Sequence, residues 1–143
     1  MKVLPPEEPV PKPRTHELRD EAFFRESYSF DGLQPNRWVG RSMAIALERP
    51  EWARRAALSI FVPGVPQFHF PFTVRTTIDG QRRDLVVPRP GFFSTTLPLG
   101  PARPDGIVEL RTATDEDYVP EGADMESHPA RYSFRLELLG LRP

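Results

Sequence analysis

The residues most able to do chemistry in this chain are few and widely scattered. Its three histidines, His16, His69 and His128, match no spacing used by a zinc protease, an EF-hand or a zinc deaminase. There is no glycine loop that cradles phosphate and no GxSxG elbow. Cysteine is absent, which excludes thiolate nucleophiles, zinc knuckles, iron–sulfur ligation and disulfides. The segment TDEDYVPEGADMES gathers Asp115, Glu116, Asp117, Glu121, Asp124 and Glu126 in one loop. Oxygen-rich loops of this kind hold calcium in some β proteins, but the spaced Asp/Asn/Gly ligand pattern is missing, and a long polar connection needs solvating charge in any case. The expectation is a protein without cofactor or metal and without catalysis. An enzyme assembled from dispersed residues is the one alternative that a sequence cannot display.

What remains suits recognition. Trp52 sits in the charged stretch ERPEWARR beside Arg49, Arg54 and Arg55. An indole face stacks on a pyranose ring, and guanidinium groups bond hydroxyls or carboxylates. The competing reading makes Trp52 a lid folded over one end of the domain. Phe68, His69, Phe70, Phe92 and Phe93 fall near strand ends, and neighbours such as Phe92 and Phe93 must point to opposite faces of a strand. One of the two is therefore exposed or covered by something other than the core. The predicted ligand-binding set is Trp52, Arg54, Arg55, Phe68, His69 and Phe92.

The chain has 143 residues, enough for one domain with a core of its own. Nineteen basic residues against twenty acidic ones leave it near neutral, which argues against a nucleic-acid binder relying on a basic surface. Seventeen of the basic residues are arginine, fitting either planar contacts to carboxylates and phosphates or a biased codon usage. The opening MKVLPPEEPVPKPR breaks any apolar run with proline and glutamate, and no later run reaches membrane-spanning length. A cytoplasmic protein without membrane insertion is expected.

From about Arg37 onward, short alternating apolar runs follow one another, each stopped by proline or glycine. Met43, Ile45 and Leu47 share one phase, as do Leu58, Ile60 and Val62, and Phe70, Phe72, Val74 and Thr76. Asp79-Gly80 is a tight-turn signal that passes the chain to Leu85 and Val87. Phe93 to Leu99, Val108 to Thr112, and Tyr132, Phe134, Leu136 and Leu138 continue the pattern, the last run setting Ser133, Arg135 and Glu137 on a wet face. The prediction is an all-β domain over 28–143, a two-sheet antiparallel β-sandwich of jelly-roll or immunoglobulin-like type. A proline-rich extended arm over 1–14 and a short helix over 15–27, capped by Thr15, precede it.

The RWVG corner (Arg37 to Gly40), the Val62-Pro63 step, TIDGQ from Thr77 to Gln81, TLPL from Thr96 to Leu99, YVP from Tyr118 to Pro120, and Arg131 before the last strand occur in an order that resembles the small accessory β-sandwich modules of bacterial glycosyltransferase and polysaccharide-biosynthesis proteins. Those modules place an aspartate close before the last arginine, where this chain has His128, Pro129 and Ala130. The resemblance implies a non-catalytic module that binds glycan in surface-polysaccharide assembly, with Trp38 and Arg131 structural. A subunit that docks on a protein partner through its N-terminal arm and exposed aromatics is the alternative.

Overall fold

The computed structural model describes residues 17–18, 28–33, 37–119 and 131–143. Ten strands occupy them: β1 (Glu17–Leu18), β2 (Tyr28–Leu33), β3 (Trp38–Glu48), β4 (Arg55–Val62), β5 (Phe72–Ile78), β6 (Gln81–Arg82), β7 (Leu85–Val87), β8 (Gly91–Pro98), β9 (Ile107–Ala113) and β10 (Phe134–Arg142). Hydrogen bonds connect them in the order β6-β5-β9-β3-β10-β4-β8, with β1 beside β10, β2 beside β3 and β7 beside β5. All pairings are antiparallel.

The all-β class is as expected from the alternation. Two stacked sheets were expected, whereas the hydrogen bonding is continuous and the architecture is one strongly curled sheet, a half-barrel. The cause is the length of β3. Its stretch from Ser42 to Glu48 pairs with β9, while its first two residues, Trp38 and Val39, pair with Arg135 and Phe134 of β10. One strand thus belongs to both halves. The proline-rich arm over 1–14 lies outside the described residues, as does most of the expected helix over 15–27. Inside that span Glu17 and Leu18 are extended and pair with Gly140 and Leu139.

The core fills the inside of the curl. Val39, Ile45, Leu47, Ile60, Val74, Phe134, Leu136 and Leu139 are almost wholly buried there. In β4 and β5 the burial alternates strictly, as a strand with one wet face requires. The phase predicted for the last strand holds from Phe134 to Leu136 and then changes. A register shift between Leu136 and Leu138 turns Leu138 outward opposite Ser59 and brings Leu139 and Leu141 into the core. An extra residue in one strand inverts every side chain beyond it.

Ser133 was expected to face water and is instead fully buried at the join between the halves. There its hydroxyl donates to the Glu116 carbonyl at 2.6 Å and also lies 2.6 Å from the Thr114 hydroxyl. A buried hydroxyl is tolerated because its bonds are made. On the surface, Glu109 and Arg111 of β9 and Arg135 and Glu137 of β10 form ion pairs along their own strands, and Arg82 at the end of β6 pairs with Asp84 in the connection to β7. The last pair holds the Asp84 carboxyl below its ordinary range, chiefly through the hydrogen bond from Arg82.

Asp79 and Gly80 form the tight turn between β5 and β6, with φ of 48° and 82°. Positive φ at both central residues is the geometry whose twist matches a hairpin. The Asp79 carboxylate also accepts the Glu109 N–H at 2.8 Å, fastening the turn to β9. A Cβ at Gly80 would meet nothing within 4 Å, so substitution there reads the backbone alone. Gly80→Ala is expected to cost about 1 kcal/mol in urea unfolding, with the denaturant slope unchanged.

Candidate functional site

The structure divides the predicted ligand-binding residues between two ends of β4. Arg55 pairs with Pro98 at one end, and Phe61 pairs with Phe92 near the other. At about 3.3 Å per residue these pairs are roughly 20 Å apart. Trp52, Arg54 and Arg55 stand at the first end, with Trp52 exposed. The arginines there direct donors to backbone carbonyls: Arg54 Nη1 to Glu51 at 2.8 Å, Arg55 Nε to Pro143 at 3.0 Å, and Arg49 Nη1 to Gly100 at 2.9 Å. They close the loops at that end.

At the other end, Phe68 is buried, with its ring centroid 4.8 Å from that of Phe72. Expected on a ligand-binding face, it belongs instead to the core. His69 is exposed, and both its backbone N–H and its Nδ1 engage the Glu116 carboxylate, at 3.1 and 3.0 Å. Of the acidic loop, Asp115 pairs with Arg75, and Asp117 lies between Arg41 and Arg131. Glu121, Asp124 and Glu126 lie outside the described residues. Among the described residues no three His, Asp or Glu side chains converge as a metal site.

Phe92 belongs to a set that local sequence does not reveal. Trp38 of β3, Arg135 of β10, Phe61 of β4 and Phe92 of β8 are successive register partners. They form one row across four strands on the outer face of the curl. With strands about 4.8 Å apart, the row is roughly 14 Å long. Phe92 is 73% exposed and lies against Phe61, ring centroids 4.9 Å apart. The Arg135 guanidinium carbon is 5.0 Å from the Phe61 ring centroid and 5.7 Å from that of Trp38, within cation–π reach of both. Trp38 in turn stacks on Tyr132 at 5.0 Å and 11°. Glu137 pairs with both Arg135 and Arg37, fixing the cation from its far side.

Beside this ridge the outer face mixes small polar side chains with a leucine. The next register row carries Leu138, Ser59 and Ser94, the two hydroxyls 2.8 Å apart, and the row beyond it carries Gly140, Ala57 and Thr96, with the Arg142–Glu17 pair lying over Gly140. Tyr118 links the ridge to the interior, meeting Trp38, Phe68 and Tyr132 edge to face. Trp38 was read from sequence as structural and Arg135 as an outward member of its strand, and Phe61 falls between the inward Ile60 and Val62. The available signal for Phe61 and Arg135 was that alternation, but nothing local says which strands lie together.

No protein-family model matches the chain, and no curated protein matches it. Among solved structures it is similar to a family 35 carbohydrate-binding module from an environmental isolate, at 11% identity and a TM-score of 0.45, over 76% of this chain and 69% of that one. A likeness of that size carries no weight in assigning function. No helix among the described residues is long and apolar enough to cross a membrane.

Burial pushes the Tyr118 hydroxyl above the ordinary tyrosine value, with Tyr132 adding to the shift and Arg135 opposing it. A raised folded-state value means that the native state holds this proton more tightly than the unfolded chain does. The associated stability is complete below about pH 10, the unfolded value, and is lost as pH rises through the folded one. Tyr118→Phe is therefore expected to flatten the alkaline limb of a stability–pH curve measured by urea unfolding, leaving its slope near pH 7 unchanged.

Proposed function

We propose that this chain is a non-catalytic carbohydrate-binding module whose contact surface is the row Trp38, Arg135, Phe61 and Phe92. The observation that carries the reading is Phe92, a phenyl ring left largely in water yet braced by Phe61, which is itself covered by Arg135. An aromatic face in that position stacks on the apolar face of a pyranose, and the hydroxyls of Ser59, Ser94 and Thr96 accept or donate to sugar hydroxyls alongside. Arg135 supplies a charged donor between the two rings. The Phe61 and Phe92 rings are tilted by 51°, so the ridge suits a single glycan chain better than a flat crystalline surface. Bacterial surface-polysaccharide assembly is the setting this reading favours, from the short motifs shared with accessory modules of that machinery.

A glycan-array screen of the full chain with Phe92→Ala and Trp52→Ala tests the assignment. Phe92→Ala is expected to weaken binding at least tenfold, about 1.4 kcal/mol, without moving the unfolding midpoint. Trp52→Ala should bind as the parent does. The reverse pattern would put the ligand at the other end of β4, and a folded parent that binds no glycan would overturn the reading.

A second reading, a subunit that docks on a protein partner, is favoured by one observation. Among the described residues β8 is bonded to β4 alone, which leaves its outer edge open beside Phe92 to an added strand. Deleting Met1 to Arg14, the arm without β1, separates the two readings in light scattering and glycan binding. On the first, sugar binding survives the deletion; on the second, assembly is lost with the arm.

A further inference from the structure

The other half of the curl carries a separate cavity of about 420 Å³ over β3, β9 and β5. Ser42, Ala113 and Arg75 are register partners in one row, and Ala44, Arg111, Thr77 and Arg82 in the next. Small side chains on β3 thus leave room beside long cationic ones on the neighbouring strands. The volume lies in the range of small-molecule sites.

The charge inside the cavity is unbalanced. Its lining holds three arginines, Arg75, Arg82 and Arg111, against one carboxylate, Asp84. Asp84 is bonded by Arg82 through Nε at 2.9 Å, and it also accepts the Thr76 N–H at 3.3 Å. The partners of the other two arginines stand outside the lining: Asp115 takes Nη1 of Arg75 at 2.7 Å, and Glu109 takes Nε of Arg111. Each carboxylate holds its guanidinium by one edge. Both terminal nitrogens of Arg111, and Nε and Nη2 of Arg75, have donors beyond these bonds. A guanidinium oriented at one edge and open at another is prepared for a two-point contact with an oxyanion.

We propose that this cavity binds a small molecule carrying a carboxylate or phosphate group, with Arg111 and Arg75 holding the oxyanion and Ser42 and Thr77 bonding its neutral polar part. The site is independent of the aromatic ridge, so Phe92→Ala leaves it intact.

Titration of the ¹⁵N-labelled full chain with glucose 6-phosphate, glucuronate and glucose tests it by amide chemical shifts. Saturable shifts at Arg75 to Thr77 and Arg111 to Ala113 are expected with one or both charged sugars and not with glucose. A response to the phosphate alone identifies a tetrahedral anion, and a response to glucuronate alone a planar one. Arg111→Gln and Arg75→Gln should each weaken the response at least tenfold, while Arg55→Gln at the far end of β4 leaves it unchanged. Equal shifts with glucose, equal loss in Arg55→Gln, or no saturable shift at these amides would each overturn the proposal.

Discussion

The structure depends on a join of two residue pairs. Val39 meets Phe134 and Trp38 meets Arg135 where the start of β3 leaves one half of the curl and enters the other. Strand side chains alternate, so each pair commits to a different side of the sheet. Val39 and Phe134, 0% and 1% exposed, lock the interior there, while Trp38 and Arg135 begin the outer row. The backbone secures the join on both flanks: the Ser133 N–H donates to the Val39 carbonyl at 2.7 Å, and the Leu136 N–H to the Arg37 carbonyl at 2.9 Å. The Thr114 and Ser133 hydroxyls answer each other beneath it, so polar groups brought inside by the change of direction are not left unbonded.

The aromatic ridge follows from that join and from register. Once Arg135 is opposite Trp38, pairing of β10 with β4 brings Phe61 beside it, and pairing of β4 with β8 brings Phe92 next. A slip of one residue at either step would turn the next ring inward and break the row. The bulge in β10 lies just past Arg135, so it corrects the inward face for Leu139 and Leu141 without disturbing the ridge. The interior and the aromatic ridge thus read the same hydrogen-bond ladder from opposite sides.

Much of this was legible beforehand, because alternation and turn chemistry are local. Met43, Ile45 and Leu47 are buried, although Ala44 and Ala46 of the opposite phase are buried too, Asp79 and Gly80 make the turn, and of Phe92 and Phe93 one is exposed while the other packs on the core. The candidate site was legible only at Phe92. Trp52 stood out because its charged neighbours are adjacent in sequence, whereas Trp38, Phe61, Phe92 and Arg135 come from four strands whose order no local pattern encodes. Phe68 looked available for contact because a loop position near a strand end is usually wet, but its ring meets Phe72 and Tyr118. The bulge was hidden by composition, since Leu138 and Leu139 are the same residue and either could have taken the inward place.

The ion pairs that run along strands have a mechanical consequence. Glu109 with Arg111, and Arg135 with Glu137, each join two side chains of a single strand. If one strand slid past its neighbour, both partners would travel together and their attraction would change little. Pairs of this kind solubilise the surface without themselves resisting such sliding, in contrast to a cross-strand contact, which is broken by it. Alignment of β9 and β10 against displacement therefore rests on the backbone ladder, the interlocked interior, the tie from Asp79 to Glu109, and the side-chain contacts that do cross between strands, Arg142 with Glu17 and Arg135 over the Trp38 and Phe61 rings. Where a charge is paired only along its own strand, it can change without moving that strand against its neighbours.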